Sequence, residues 1–268
     1  MEKQFAYKSA TICYDSVGEG LPVILLHGFG EDRTIWKDQV EFMQRICRVI
    51  TPDLPGTGKS PVSDDFFVNT IEYYADCVKA LLAEENISTC IVLGHSMGGY
   101  ITLSFAEKYK ENLSGFGLVH STAFADSNEK KQSRQKAIAL MEEYGAYAFL
   151  KTVTPNLFGS AFKKRHPEKV DAQIEQGNKF SVPALQQYYT AMMNRPDRSF
   201  VLTTSCLPVL FIIGSEDIAA PMSDVLQQVH LPEKSYVHIL ENTGHMGMLE
   251  ATEKVNAALS EFIKDIKA

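Results

Sequence analysis

Gly94-His95-Ser96-Met97-Gly98 directly follows the apolar, β-branched run Thr89–Leu93. Such a run predicts a short buried strand. Gly98 and Gly99 then open a segment, Tyr100–Lys110, that has the pattern of a helix. Ser96 is therefore expected at a tight strand-to-helix turn flanked by glycines, which is the geometry of a nucleophile elbow. Because a lone G-x-S-x-G pattern also arises by chance, the partners of a serine nucleophile have to be found elsewhere in the chain.

A base and an acid for this serine follow further along the chain. A serine hydroxyl needs a base to take its proton, and a histidine base needs a carboxylate that fixes its tautomer. Asp217 comes just after the strand-like run Pro208–Gly214, and His245 comes just after the run Tyr236–Leu240. This order predicts the triad Ser96, Asp217 and His245. Two neighbouring acids, Glu216 and Glu241, remain as alternatives to Asp217.

The loop after the run Val23–Leu26 is a candidate oxyanion hole, a set of donors that face the charge developing on a carbonyl oxygen. This loop has the sequence His27-Gly28-Phe29-Gly30. The backbone N–H groups of Phe29 and Met97 are the expected donors, one from the loop and one from the residue after the nucleophile. We interpret His27 as a residue that organises the loop through backbone hydrogen bonds.

Taken together, five stretches of the chain resemble the α/β-hydrolase superfamily, in its branch of small capped hydrolases. They are His27–Gly30, Asp53–Ser60, Gly94–Gly99, Pro208–Asp217 and Gly244-His245. The resemblance implies an α/β fold with a mostly parallel sheet of about eight strands, flanked by helices, and a helical cap inserted after strand six. Its register after Gly214 favours Asp217 as the acid. Enzymes of this branch include carboxylesterases, enol-lactonases, carbon–carbon bond hydrolases and cofactor-free haloperoxidases, whereas dehalogenases and epoxide hydrolases have Asp at the position of Ser96.

The resemblance predicts a core domain of residues 1–120 and 206–268, with the cap at residues 121–205. Strand-like runs that alternate with longer amphipathic segments indicate a parallel sheet with crossover helices. The exception is Phe5–Asp15, which suggests an antiparallel hairpin that turns at Gly18-Glu19-Gly20. In such sheets, ligands bind beyond the carboxyl ends of the strands, and the predicted site residues all follow strand ends.

The predicted cap should determine which substrate is chosen. It contains 12 Lys and Arg against 8 Asp and Glu, a net charge of +4, while the rest of the chain carries −11. The basic run Lys163–His166 could bind an anionic substrate tail, although a solvated loop is the better interpretation. We predict that Phe29, His120 and Phe124 contact the substrate.

Composition excludes several other classes of function. A net charge of −7 and a pI near 5.5 argue against nucleic-acid binding, and no apolar run approaches the ~20 residues of a membrane helix.

Gly56–Ser60 resembles the end of a phosphate-binding loop, but that motif needs glycine where the chain has Asp53. The five cysteines have no metal-ligand spacing. No metal is therefore expected. The odd number of cysteines, together with the absence of a visible signal peptide, predicts a cytoplasmic protein.

The sequence therefore predicts a cytoplasmic serine hydrolase that acts on a small, mostly apolar carboxylic ester or lactone and needs no cofactor. Two alternatives remain. One is a carbon–carbon bond hydrolase of a dienoic ketoacid, which needs a carboxylate-binding cap. The other is a triad-bearing ligand sensor that signals through a partner protein. The sequence leaves open whether the protein is a monomer or a homodimer.

Overall fold

The computed structural model describes residues 2–64 and 66–267, and these form an eight-stranded sheet in the order β1-β2-β4-β3-β5-β6-β7-β8. The strands are β1 Glu2–Tyr7, β2 Ala10–Val17, β3 Pro22–Leu26, β4 Arg48–Pro52, β5 Cys90–His95, β6 Leu113–Val119, β7 Val209–Gly214 and β8 Ser235–Leu240. Strands β3 to β8 run parallel to one another, and only the pairs β1–β2 and β2–β4 are antiparallel. The predicted sheet of about eight mostly parallel strands, flanked by helices, is confirmed.

Helices cover both faces of the sheet. The α-helices of the described residues are α1 Lys37–Met43, α2 Ile71–Glu84, α3 Met97–Lys108, α4 Asn128–Tyr144, α5 Ala146–Val153, α6 Ser160–Arg165, α7 Pro167–Gln176, α8 Val182–Asn194, α9 Ser199–Thr203, α10 Met222–Val225, α11 Gly247–Glu250 and α12 Thr252–Lys267. Apolar residues of α2 and α3 share a core with Ile24 and Val92 on one face. Residues of α12 share a second core with Val23 and Ile91 on the other face. Both faces of the central strands are therefore buried, as in other parallel sheets. Within the described residues, no helix has the length and apolar character needed to cross a membrane.

The N-terminal hairpin turns at a different place from the one predicted. Strands β1 and β2 are joined at Lys8-Ser9, with Lys8 in the left-handed region at φ +51°. Gly18–Gly20 instead connects β2 to β3, which both pair with β4. Gly18 is needed there because a Cβ would lie 2.3 Å from the carbonyl oxygen of Cys47. The prediction was wrong because this glycine serves close packing, whereas the hairpin turn contains no glycine.

The segment of residues 120–208, between β6 and β7, holds helices α4 to α9. It contacts the loops beyond the carboxyl ends of the strands. The Tyr188 hydroxyl on α8 donates to the carbonyl oxygen of Pro55, after β4, at 2.8 Å. The predicted cap boundaries fall within this segment, and its standing as a separate domain stays a prediction.

The turn between β5 and α3 depends on glycines that have no room for a side chain. A Cβ on Gly94 would lie 2.1 Å from the carbonyl oxygen of Gly98. A Cβ on Gly98 would lie 2.5 Å from the carbonyl oxygen of Leu26 on β3. Backbone atoms of β5, α3 and β3 therefore pack directly against one another, and Ser96 lies at the point where the chain reverses.

We predict that Gly94→Ala destabilises the protein by about 3 kcal/mol, the upper end of the usual cost of overpacking, because rigid backbone cannot relax away from the added methyl group. The control is Gly20→Ala. Gly20 has φ +91° but open space around its Cβ position, so this change should cost only the backbone strain, about 1 kcal/mol. Urea unfolding measures both free energies. Equal losses in the two variants would contradict the close approach as the cause.

Candidate active site

A cavity of about 150 Å³ lies beyond the carboxyl ends of the strands and contains Ser96 and His245 in its wall. Phe29 lines it from the β3 loop, and Tyr189 and Met192 line it from α8. The cavity therefore lies between the sheet and the segment of residues 120–208. This is the edge of the sheet where α/β folds bind ligands.

Ser96 lies at a strained strand-to-helix turn. Its φ is +51° and its ψ is −115°, a backbone conformation that residues with a side chain rarely adopt. The Ser96 N–H donates to the carbonyl oxygen of Val119 on β6 at 3.0 Å, and Gly99 N–H donates to the carbonyl oxygen of Ser96 at 2.9 Å. These bonds, together with the glycine contacts of the turn, hold the serine at the cavity wall.

Asp217 is the acid that contacts His245. His245 Nδ1 lies 2.8 Å from Asp217 Oδ2, while Asp217 Oδ1 accepts from the N–H groups of Ala219 and Ala220 at 2.9 Å. Burial opposes the charge of Asp217, but the charge and hydrogen bond of His245, with a further bond from His120, hold its pKa well below the usual range. Glu216 instead accepts from the Ser160 N–H at 2.7 Å. With Nδ1 engaged, Nε2 is the ring nitrogen of His245 left for the cavity.

His120 is a second imidazole on the same carboxylate oxygen. Its Nδ1 lies 3.2 Å from Asp217 Oδ2. It directly follows β6 at φ +50° and is fully buried. Burial lowers its pKa to about 4, in spite of the nearby carboxylate of Asp217. A neutral His120 therefore donates its Nδ1 hydrogen to Asp217.

Two of the predicted substrate contacts are absent from the cavity wall. Among the residues that the structure describes, Phe29 lines the cavity, but His120 and Phe124 do not. His120 lies beneath the wall against Asp217. Phe124 is half-buried, and its carbonyl oxygen accepts from Arg195 at 2.9 Å. Position near the end of β6 does not reveal which way a side chain points, and contact of these two residues with substrate stays a prediction.

The N–H groups of Phe29 and Met97 are available as donors. Within the described part of the chain, neither group donates a hydrogen bond. Met97 is the first residue of α3, and the first N–H groups of a helix have no partner inside the helix. The Phe29 ring stacks on the Tyr189 ring with centroids 4.1 Å apart and planes 2° from parallel. This stack fixes the loop that carries the Phe29 N–H.

A buried pair, Glu31 and His95, connects three parts of the site and was not predicted from the sequence. Glu31 Oε2 accepts from the Gly28 N–H at 2.6 Å and lies 2.9 Å from His95 Nδ1, while His95 Nε2 lies 2.9 Å from the carbonyl oxygen of His245. Burial disfavours charge, but Glu31 raises the pKa of His95 and His95 lowers that of Glu31. Both nitrogens of His95 face acceptors, as a charged imidazolium requires. His95 stands inside the G-x-S-x-G motif, but its partner is 64 residues away.

Arg134 on α4 is a cation in the cavity wall that the sequence analysis also missed. The basic run Lys163–His166, considered there for an anionic substrate tail, does not line this cavity among the described residues. Helix α4 is rich in charged residues on most of its surface. No pattern within it therefore distinguishes Arg134 from its solvated neighbours.

We predict that His120→Asn weakens the acid sensitivity of the fold. An unfolded histidine binds a proton below about pH 6.5, whereas folded His120 does so only below about pH 4. Stability is therefore lost as the pH falls through this window, by roughly 2–3 kcal/mol at pH 4.5. Asn tolerates positive φ and keeps an N–H donor for Asp217. Urea unfolding at pH 7.0 and 4.5 should show a smaller difference for His120→Asn than for the wild type.

The control for this prediction is His230→Asn, a change at an exposed position, which should keep the wild-type difference. An unaltered difference in His120→Asn would contradict the neutral, buried state of His120.

Two curated proteins are similar to this chain over most of its length. One is the (E)-2-((N-methylformamido)methylene)succinate hydrolase of Acinetobacter baylyi, at 25% identity over 95% of this chain and 94% of that protein. The other is the Karrikin insensitive 2 receptor IA of Petunia hybrida, at 27% identity over 88% of each.

Among solved structures, a thermophilic esterase from Thermogutta terrifontis with malate bound has a TM-score of 0.94 at 27% identity. The alignment covers 100% of both chains. Residues 23–258 match the model of a family described as the alpha/beta hydrolase family. This match spans most of the chain, includes every residue of the site described above, and agrees with the eight-stranded fold. The expected superfamily and the expected enzyme class are thereby confirmed: the chain belongs to the alpha/beta hydrolase family.

Proposed function

We propose that the protein is a serine hydrolase that cleaves a small carboxylic ester or lactone through an acyl-enzyme on Ser96. The observation that carries the proposal is the contact of His245 Nδ1 with Asp217 Oδ2 at 2.8 Å, on a histidine that shares a cavity wall with Ser96. A buried carboxylate in this position fixes the tautomer of the imidazole and stabilises its protonated form. Such a pair serves to activate a nucleophile.

In this mechanism, Ser96 Oγ attacks the substrate carbonyl while His245 Nε2 takes its proton. The N–H groups of Phe29 and Met97 donate to the oxygen that becomes negatively charged. His245 then protonates the leaving alcohol, and the bond between the carbonyl carbon and that oxygen breaks. A water molecule, deprotonated by the same imidazole, attacks the acyl-enzyme and releases the acid, which restores Ser96.

His120 acts through Asp217 in this proposal. A hydrogen bond donated to the charged form of a carboxylate favours that form. With His120 and His245 both donating to Oδ2, and two backbone N–H groups donating to Oδ1, the carboxylate remains ionised and cannot rotate. His120 is therefore a positioning residue.

The size of the cavity and the comparisons support a small substrate. A volume of about 150 Å³ is below the ~300–1,000 Å³ of typical drug-sized ligand sites. The Acinetobacter relative is named as the hydrolase of a substituted succinate, and the Thermogutta neighbour is an esterase. Both names support a hydrolase of small molecules.

A second candidate is a ligand receptor, which is favoured by the similarity to the Petunia karrikin-insensitive receptor. The two functions differ in turnover. A receptor would bind its ligand tightly and hydrolyse it slowly, if at all. A hydrolase turns over small esters continuously, and the loss of Ser96 abolishes that turnover.

We predict that Ser96 is the residue labelled by an organophosphonate probe, because a serine activated by His245 is far more nucleophilic than other hydroxyls. Intact-mass spectrometry should show one added group on the wild type and none on Ser96→Ala. The exposed Ser223 offers a matched control, and Ser223→Ala should be labelled like the wild type. Full labelling of Ser96→Ala, or no labelling of the wild type, would refute the proposed nucleophile.

We also predict that Asp217→Asn lowers kcat by about 10³- to 10⁴-fold, because the amide favours the wrong imidazole tautomer. Glu216→Gln is the control, since its carboxylate faces the Ser160 N–H and not His245. It should keep kcat within about twofold. Hydrolysis of 4-nitrophenyl acetate measures both variants, and equal damage would mean that Asp217 is not the acid of the triad.

A further inference from the structure

We propose that the cavity beside Ser96 selects substrates that carry a carboxylate, which binds to the guanidinium of Arg134. This inference rests on the proposed function and narrows its substrate to a half-ester of a short dicarboxylic acid or a lactone with an acidic substituent. Arginine is suited to this role because its planar fork of donors matches the geometry of a carboxylate.

Arg134 is oriented by contacts on two sides. Its Nε and Nη2 donate to Asp126 Oδ2 and Oδ1 at 2.6 and 3.4 Å. Its guanidinium carbon lies 5.1 Å from the centroid of the Tyr189 ring. Of the five N–H donors of a guanidinium, Asp126 takes two. The remaining N–H donors of Arg134 are not used by Asp126, and Arg134 lines the cavity.

Asp126 does not fully neutralise Arg134, because the carboxylate of Asp126 also pairs with a second cation, Arg195. Arg195 Nη1 lies 2.8 Å from Asp126 Oδ1. Arg195 is buried, stacks 3.7 Å over the Tyr100 ring and also donates to the carbonyl oxygens of Met192 and Phe124. Two arginines therefore share one carboxylate, and the group of Asp126, Arg134 and Arg195 carries a net charge of +1. The excess positive charge is shared by the two arginines, of which Arg134 lines the cavity.

The other charged groups of the wall do not cancel this charge. Glu31 also lines the cavity, but its Oε2 accepts from the Gly28 N–H and pairs with the buried His95. Both ring nitrogens of His95 face acceptors, which is the arrangement of a charged imidazolium, so His95 offsets the charge of Glu31. Among the described residues that line the cavity, Arg134 is therefore a cation whose charge is only partly offset, since Asp126 is shared with Arg195. An anion in this partly dehydrated site would be attracted more strongly than at the surface.

The geometry limits the length of the substrate. Arg134 and the Phe29 ring both contact the Tyr189 ring, at 5.1 and 4.1 Å. Phe29 supplies one of the proposed oxyanion donors. Arg134 and the loop that carries the Phe29 N–H thus both border one aromatic ring, so a chain of a few carbon atoms is expected to connect the carboxylate to the reacting carbonyl.

The test compares two esters that differ in one charge, 4-nitrophenyl hemiglutarate and methyl 4-nitrophenyl glutarate. In the wild type, kcat/KM should be higher for the hemiglutarate. Arg134→Gln should reduce the ratio of the two kcat/KM values by about 10- to 100-fold, the range for loss of charge-assisted hydrogen bonds. The drop should appear mainly in KM for the hemiglutarate. Arg134→Lys keeps the charge but not the fork, and should give an intermediate ratio.

Lys136→Gln is the matched control, since it removes one positive charge from the exposed side of the same helix and should leave the ratio unchanged. Asp126 keeps Arg195 as a partner in Arg134→Gln, so the variant should fold, and thermal unfolding checks this. A wild type that prefers the neutral ester, or a ratio that Arg134→Gln does not alter, would overturn the inference while leaving ester hydrolysis intact.

A binding measurement separates the failure of this inference from the failure of the proposed function. Calorimetry with Ser96→Ala and monomethyl glutarate needs no turnover. Affinity that falls at least tenfold when Arg134→Gln is added supports the carboxylate site, even if the wild type hydrolyses neither ester. Affinity that does not depend on Arg134 refutes it.

Discussion

The close approach of β5 to α3 at Gly94 and Gly98 is the constraint on which the site depends. With no Cβ between them, the chain can reverse within one residue, and Ser96 takes a left-handed conformation. The same reversal makes Met97 the first residue of a helix and leaves its N–H without a partner. It also brings Ser96 N–H against the end of β6, where the next residue, His120, meets Asp217. One steric condition thus positions groups from three strands.

Buried carboxylates in and around the site are each shared between partners, and the sharing sets their charges. An unpaired buried charge is strongly destabilising. His95 and His120 have ring centroids 6.0 Å apart, but their pKa values shift in opposite directions. His95 faces Glu31 and a carbonyl oxygen, so its charged form is stabilised. His120 shares Asp217 with His245, and burial keeps it neutral. The pKa values of these neighbouring imidazoles therefore shift in opposite directions, and Glu31 pairs with one imidazole whereas Asp217 pairs with two.

The sequence predicts what depends on local pattern and order along the chain. Apolar runs bounded by glycine predicted the parallel strands. The order of the motifs along the chain predicted that Ser96, Asp217 and His245 lie at one end of the sheet. Features that depend on side-chain direction or on distant partners were missed. Lys8 lies in a tight turn without glycine, and among the described residues Phe124 is not part of the cavity wall. The partly offset charge of Arg134 depends on its contacts with Asp126 and on the contact of Asp126 with Arg195. No periodicity within α4 reveals these contacts.

Adjacent tyrosines on α8 attach the helical segment to two separate loops of the sheet. Tyr188 binds the carbonyl oxygen of Pro55, and Tyr189 stacks on Phe29. A chimera that received these helices from a relative would lose both attachments unless residues 27–30 and 53–60 were exchanged with them. An exchange that keeps these contacts must therefore include loops of the sheet that are far from the helices in sequence. Divergence of the helices and of these loops should proceed together.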